Sequence, residues 1–179
     1  ERWPALPPSL TLSKIRAVKR EALLGADAAG IEVGTVALAC VYFERLCLVR
    51  LVSKPNRRLA FAACLTLACV TARVAPAGRA RPRAVLSVLG RRARRRRYKF
   101  VEPEGARLAN WLAFVDTEWS VSRRQVLEAE FGVWARLAFK LHESRRDVLF
   151  HLSSLLSTLE TVDRAPRAAE LLFVAPREG

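Results

Sequence analysis

Apolar residues along this chain recur at three- and four-residue steps, the period of helices, and nowhere show the two-residue alternation of strands. Residues 1–10 carry Pro4, Pro7 and Pro8 and read as an extended lead-in. A first helix is predicted from about Thr11, with Leu12, Ile15, Val18 and Leu23 as its apolar positions and Gly25 as its end. A second is predicted over residues 31–51, with Val36, Cys40, Phe43 and Cys47 on one face. Ser53-Lys54-Pro55-Asn56 breaks it, because Pro cannot continue the hydrogen-bond ladder and Asn56 can cap the next helix. The third helix is predicted over residues 57–74. Its stretch 59–70 is apolar except for Thr66 and rich in Ala and Cys. That stretch is too short for a bilayer, which takes about 20 residues. A helix apolar on every side is instead buried on every side, so it is expected at the centre of a bundle, with no membrane partner.

Residues 75–105 hold Pro76, Pro82, Pro103, Gly78, Gly90, Gly105 and an Arg run. Residues 83–89 admit a short helix; the rest is expected to be a mobile loop, long for a compact domain. Periodicity resumes with Leu108, Trp111, Leu112, Val115 and Trp119. Ser122-Arg-Arg-Gln125 is a capping box, which opens a helix expected to turn Val126, Leu127, Phe131, Trp134, Leu137 and Leu141 inward. Ser144-Arg-Arg-Asp147 opens a sixth, with Val148, Leu152, Leu155 and Leu159, followed by a tail over 161–179. The pattern thus predicts an all-α bundle of five to six helices around a buried third helix, one domain over residues 11–160 with a basic inserted loop.

Composition agrees with a single globular domain: 179 residues, 51% hydrophobic and 27% charged. With no Met and a start at Glu1, the sequence is expected to be a piece of something longer. The net charge of +14 comes from 31 basic and 17 acidic residues, and its placement matters more than its size. Residues 73–99 hold 11 of the basic residues and no acid; the remainder has 20 basic against 17 acidic. One segment therefore makes a nearly neutral body basic. Its dense part, Arg91, Arg92, Arg94, Arg95, Arg96 and Arg97, has three readings: a solvated insertion in an Arg-biased sequence, a nuclear-import signal gripped by an importin, or a phosphate-led contact with nucleic acid.

Candidate chemistry is sparse. Cys40, Cys47, Cys64 and Cys69 lie on apolar helices without CxxC spacing and read as buried thiols rather than zinc ligands. His142 and His151 have no nucleophile or metal partner in sequence, and no Gly-rich phosphate loop is present. Trp111, Trp119 and Trp134 fit core positions. The expectation is a chain with no catalytic residues, metal or cofactor.

Several stretches carry a resemblance. Val36-Ala37-Leu38-Ala39-Cys40-Val41-Tyr42-Phe43-Glu44-Arg45-Leu46 looks like the second helix of the cyclin box, residues 59–71 resemble its small-residue third helix, and Gln125-Val126-Leu127-Glu128-Ala129-Glu130 resembles its fifth. More narrowly, Thr11-Leu12-Ser13-Lys14-Ile15-Arg16, Lys19-Arg20-Glu21, Val41-Tyr42-Phe43-Glu44 and Asn56-Arg57-Arg58-Leu59 resemble the Cables family of cyclin-like proteins. The resemblance covers residues 11–160 except the basic insertion.

It implies a cyclin-box bundle that is not an enzyme, that binds a cyclin-dependent kinase through its third and fifth helices, and that is nuclear or cytoplasmic with a cell-cycle role. It implies a supporting pair of Arg16 and Glu44, the acid here being one methylene longer than the usual Asp. It places Leu59 and Glu130 at the kinase contact, with Glu130 acting beside a third-helix Lys. That Lys falls at Val70, which donates no hydrogen bond; Arg73 lies one turn on. The departure keeps two alternatives open: a cyclin-box scaffold that activates no kinase, and a transcription-factor-like cyclin box that binds nucleic acid.

Overall fold

The computed structural model describes residues 10–74 and 104–172, with side chains described over 10–71 and 105–159. The described residues form six helices and no strand: α1 Leu12–Ala28, α2 Val33–Leu48, α3 Arg57–Val74, α4 Glu104–Trp119, α5 Arg123–Arg136 and α6 Arg145–Leu172. The lead-in before Leu10, the insertion at 75–103 with its predicted short helix and the whole run from Arg91 to Arg97, and the end of the tail lie outside the described residues.

α3 is the centre. Every residue from 61 to 68 is buried, and α3 packs on α1, α2, α4 and α5. Its polar residue in that stretch, Thr66, donates to the Ala62 carbonyl at 3.0 Å, so its buried hydroxyl is not left unbonded. None of the described helices is long and apolar enough to cross a membrane.

Helix ends follow local chemistry, and four features differ from the sequence expectation. α1 runs past Gly25 to Ala28. Gly25 is small for another reason: a Cβ there would lie 2.3 Å from the Phe114 ring of α4. The stop belongs to Gly30, at φ +75°, where Gly30 N–H donates to Asp27 (3.1 Å) and Ile31 N–H to Ala26 (2.8 Å), a Schellman end. α2 is shorter than predicted and ends the same way on Arg50 at φ 59°. Asn56 bonds the turn before α3 rather than the first amides of α3: its Oδ1 accepts from Ser53 N–H (2.7 Å) and its Nδ2 donates to Leu51 (3.0 Å). α6 continues past residue 161 to Leu172, a stretch rich in the good helix formers Ala, Glu and Leu.

The capping box of α5 forms as its spacing predicts, with both reciprocal bonds between Ser122 and Gln125. Its inward face is narrower than expected. Val126, Val133 and Leu137 are buried and Leu141 half-buried, but Leu127, Phe131 and Trp134 are exposed by 44%, 65% and 37%. The reason is angular. Positions i, i+7 and i+11 share one stripe toward the core, while Leu127, Phe131 and Trp134 lie about a quarter-turn round the helix, where no described element covers them. Trp111 and Trp119 are core residues as expected; Trp134 is not.

Candidate functional site

The exposed stripe continues beyond α5. Ala138 and Phe139 both adopt left-handed backbone, at φ 54° and 57°. Ala138 N–H donates to Ala135 (3.0 Å) and Phe139 N–H to Trp134 (3.1 Å), the same Schellman pair that ends α1 but without a glycine. The turn lays the Phe139 ring against Trp134, centroids 5.0 Å apart, and Trp134 against Phe131 at 6.3 Å, both edge-to-face. The result is a row of aromatic rings on the surface. Arg123, Arg124, Leu127 and Glu128 line a shallow depression where α5 begins.

Glu130 is half-buried, and burial raises its carboxyl above the ordinary value. It forms no hydrogen bond or ion pair among the described residues. Val70 is 41% exposed near the end of α3, and Leu59 is half-buried against the core near its start. Because α3 and α5 pack directly, Val70 and Glu130 stand on adjoining helices. Arg73 is on α3, but its side chain lies outside the described residues.

The predicted supporting pair is corrected. Lys19, not Arg16, forms the ion pair with Glu44, and His151 Nε2 of α6 reaches the other carboxylate oxygen at 3.2 Å. Arg16 is exposed, whereas the Lys19 side chain is only 14% exposed. One turn of α1 separates the two cations, and Lys19 occupies the turn that faces α2. Burial alone would raise the Glu44 carboxyl; the hydrogen bonds from His151 and Lys19 and their charges outweigh it and hold it at about 2. The cluster ties α1, α2 and α6 together. Cys40 and Cys47 are pushed up to about 12, and Cys64 well above its usual value, all by burial, which leaves inert thiols between α2 and α3.

Sequence reasoning missed Phe139 and the partnership of His151. Neither had a local signal: the first depends on a left-handed turn made without glycine, the second on a contact between distant helices.

Architecture and side chains together define an all-α, cyclin-box-like helical bundle. No family model and no solved structure matches the chain. Over 159 residues, 88% of its length, it is 30% identical to CDK5 and ABL1 enzyme substrate 1 of Homo sapiens and of Mus musculus, covering 20% and 23% of those proteins. Over 68 residues, 38% of its length, it is 47% identical to CDK5 and ABL1 enzyme substrate 2 of Homo sapiens, covering 14% of it. The chain is a Cables-like protein, and it spans about a fifth of the length of the substrate 1 relatives.

Proposed function

We propose that this chain is a non-catalytic, kinase-associated cyclin-like module that docks a cyclin-dependent kinase on the face formed by α3 and α5. The observation that carries the reading is the uncovered row Leu127, Phe131, Trp134 and Phe139 beside the half-buried Glu130. Exposed aromatic clusters next to a polar anchor are what protein interfaces use as their energetic centres. The names of the relatives, as substrates of CDK5 and ABL1, support a kinase partner.

A second reading, a scaffold that holds a kinase without activating it, is favoured by Val70. An exposed valine supplies no hydrogen bond where the cyclin box resemblance calls for a lysine, so one charge-assisted contact of about 1.5–3 kcal/mol is absent.

Calorimetry and pull-down with CDK5 and a panel of other cyclin-dependent kinases test both. Phe131→Ala and Trp134→Ala should each weaken binding about tenfold or more, and Glu130→Ala should weaken it without unfolding the domain. Val70→Lys should tighten it about tenfold. If the aromatic variants and Glu130→Ala bind every kinase as the parent does, this face is not the docking site. Tight binding without stimulation of kinase activity in the parent, gained in Val70→Lys, selects the scaffold.

A further inference from the structure

The docking face depends on a turn that its own sequence does not favour, and two α2 side chains hold that turn from the far side. Tyr42, fully buried, donates its hydroxyl to the Leu141 carbonyl at 2.5 Å. Arg45 donates to the Lys140 carbonyl at 3.3 Å and pairs with Glu143. Three points of the α5–α6 linker are thus fastened to one helical turn of α2. Immediately before them stand Ala138 and Phe139, both left-handed without glycine, a backbone that persists only where its surroundings fix it. Phe139 is 57% exposed, so the ring's own packing does not supply that restraint.

We infer that Tyr42 and Arg45 are positioning residues for the α5 docking face: by clamping the 140–143 linker they hold the left-handed turn that presents Phe139 against Trp134. The inference rests on the docking reading above. It also joins the two halves of that face, because the Tyr42 hydroxyl lies beside Thr71, the neighbour of Val70 on α3. A partner that presses on Phe139 therefore meets a linker anchored in the bundle rather than a free loop.

The test uses Tyr42→Phe and Arg45→Met, alone and combined, since each keeps most of the side chain's volume and removes the donors. Phe139→Ala serves as the reference. Hydrogen exchange at the amides of Ala138, Phe139 and Lys140 reads the turn without any partner, and calorimetry with CDK5 and the kinase panel reads its consequence. In the double variant those amides should exchange about tenfold faster or more, while α1 and α3 amides stay protected. Kinase binding should weaken about as much as in Phe139→Ala. Unchanged exchange at residues 138–140 overturns the clamp. Faster exchange with unchanged affinity, while Phe139→Ala weakens binding, overturns its role in presentation. Phe139→Ala binding like the parent, or a parent that binds no kinase, overturns the docking reading itself, and the exchange data still report whether the clamp holds the turn.

Discussion

α3 and α5 are both rich in apolar residues, yet they do opposite things with them. α3 buries residues 61–68 on every side, and that stretch leaves no surface to use. α5 carries two apolar stripes: Val126 and Val133, with Leu137 just past its end, are buried in the core, while Leu127, Phe131 and Trp134 face outward. Burial contributes roughly 25 cal/mol per Å² of apolar area removed from water, so the α3 residues stabilise the fold and the outer α5 residues contribute little to it. Monomeric proteins seldom leave such a contiguous aromatic row uncovered. Apolar content therefore marks a helix as important without saying for which purpose.

Ala63→Asp places an unpaired charge in a fully buried position of α3 and should cost roughly 3–5 kcal/mol, by analogy with broken buried ion pairs. Phe131→Ser, on the outer stripe of α5, should cost under about 1 kcal/mol, because two-thirds of that residue is already in water. Urea denaturation of the two variants beside the parent is the measurement. Equal losses would mean that the α5 stripe is part of the core after all.

What the sequence made legible divides along the same line. A stretch apolar all round has only one placement, so the central position of α3 could be read directly. The capping box at Ser122 and the Ser144 cap on Asp147 could also be read, because their partners lie three residues away and the chemistry is local. The buried face of α5 could not. Helical periodicity gives the stripes, but which of two stripes is covered depends on how α5 rolls against α3. The partner of Glu44 was hidden in the same way. Arg16 and Lys19 share a face of α1, and only the depth at which α1 meets α2 selects Lys19; His151 arrives from α6, far along the chain. Gly25 was misread because one residue type serves both close packing and helix ends, and the sequence does not say which.

The Glu44 cluster gives a mid-sized effect that separates the bundle's inner ties from its outer face. Its carboxyl is depressed from 4.5 to about 2, so the ion-paired form contributes stability above pH 4.5 and loses it as pH falls from 4.5 toward 2. The side chain is 46% exposed, so solvent screening trims the contribution to about 1–2 kcal/mol. Urea midpoints at pH 6.5 and pH 3 should therefore fall further for the parent than for Glu44→Gln, which cannot titrate. Equal falls in the two proteins would show that Lys19 and His151 do not hold the folded carboxylate.

The smallest effect concerns the end of α5. Gly30 and Ala138 occupy the same position in the same hydrogen-bonded motif, one closing α1 and the other α5. Glycine accepts left-handed backbone freely, whereas alanine meets its own carbonyl there at about 1 kcal/mol. Ala138 is exposed, so its methyl group gives back little through packing. Ala138→Gly should therefore stabilise the domain by about 0.5–1 kcal/mol, and Gly30→Ala should destabilise it by a similar amount. Thermal melts of the two variants, read as opposite shifts in Tm, check this. A loss of stability in Ala138→Gly would place the Ala138 methyl in a packed contact and remove the argument that the turn is held from α2. A gain, with Tyr42 and Arg45 intact, would show that the α5 end carries strain which the bundle tolerates in order to keep Phe139 where it is, as no residue of α3 needs to.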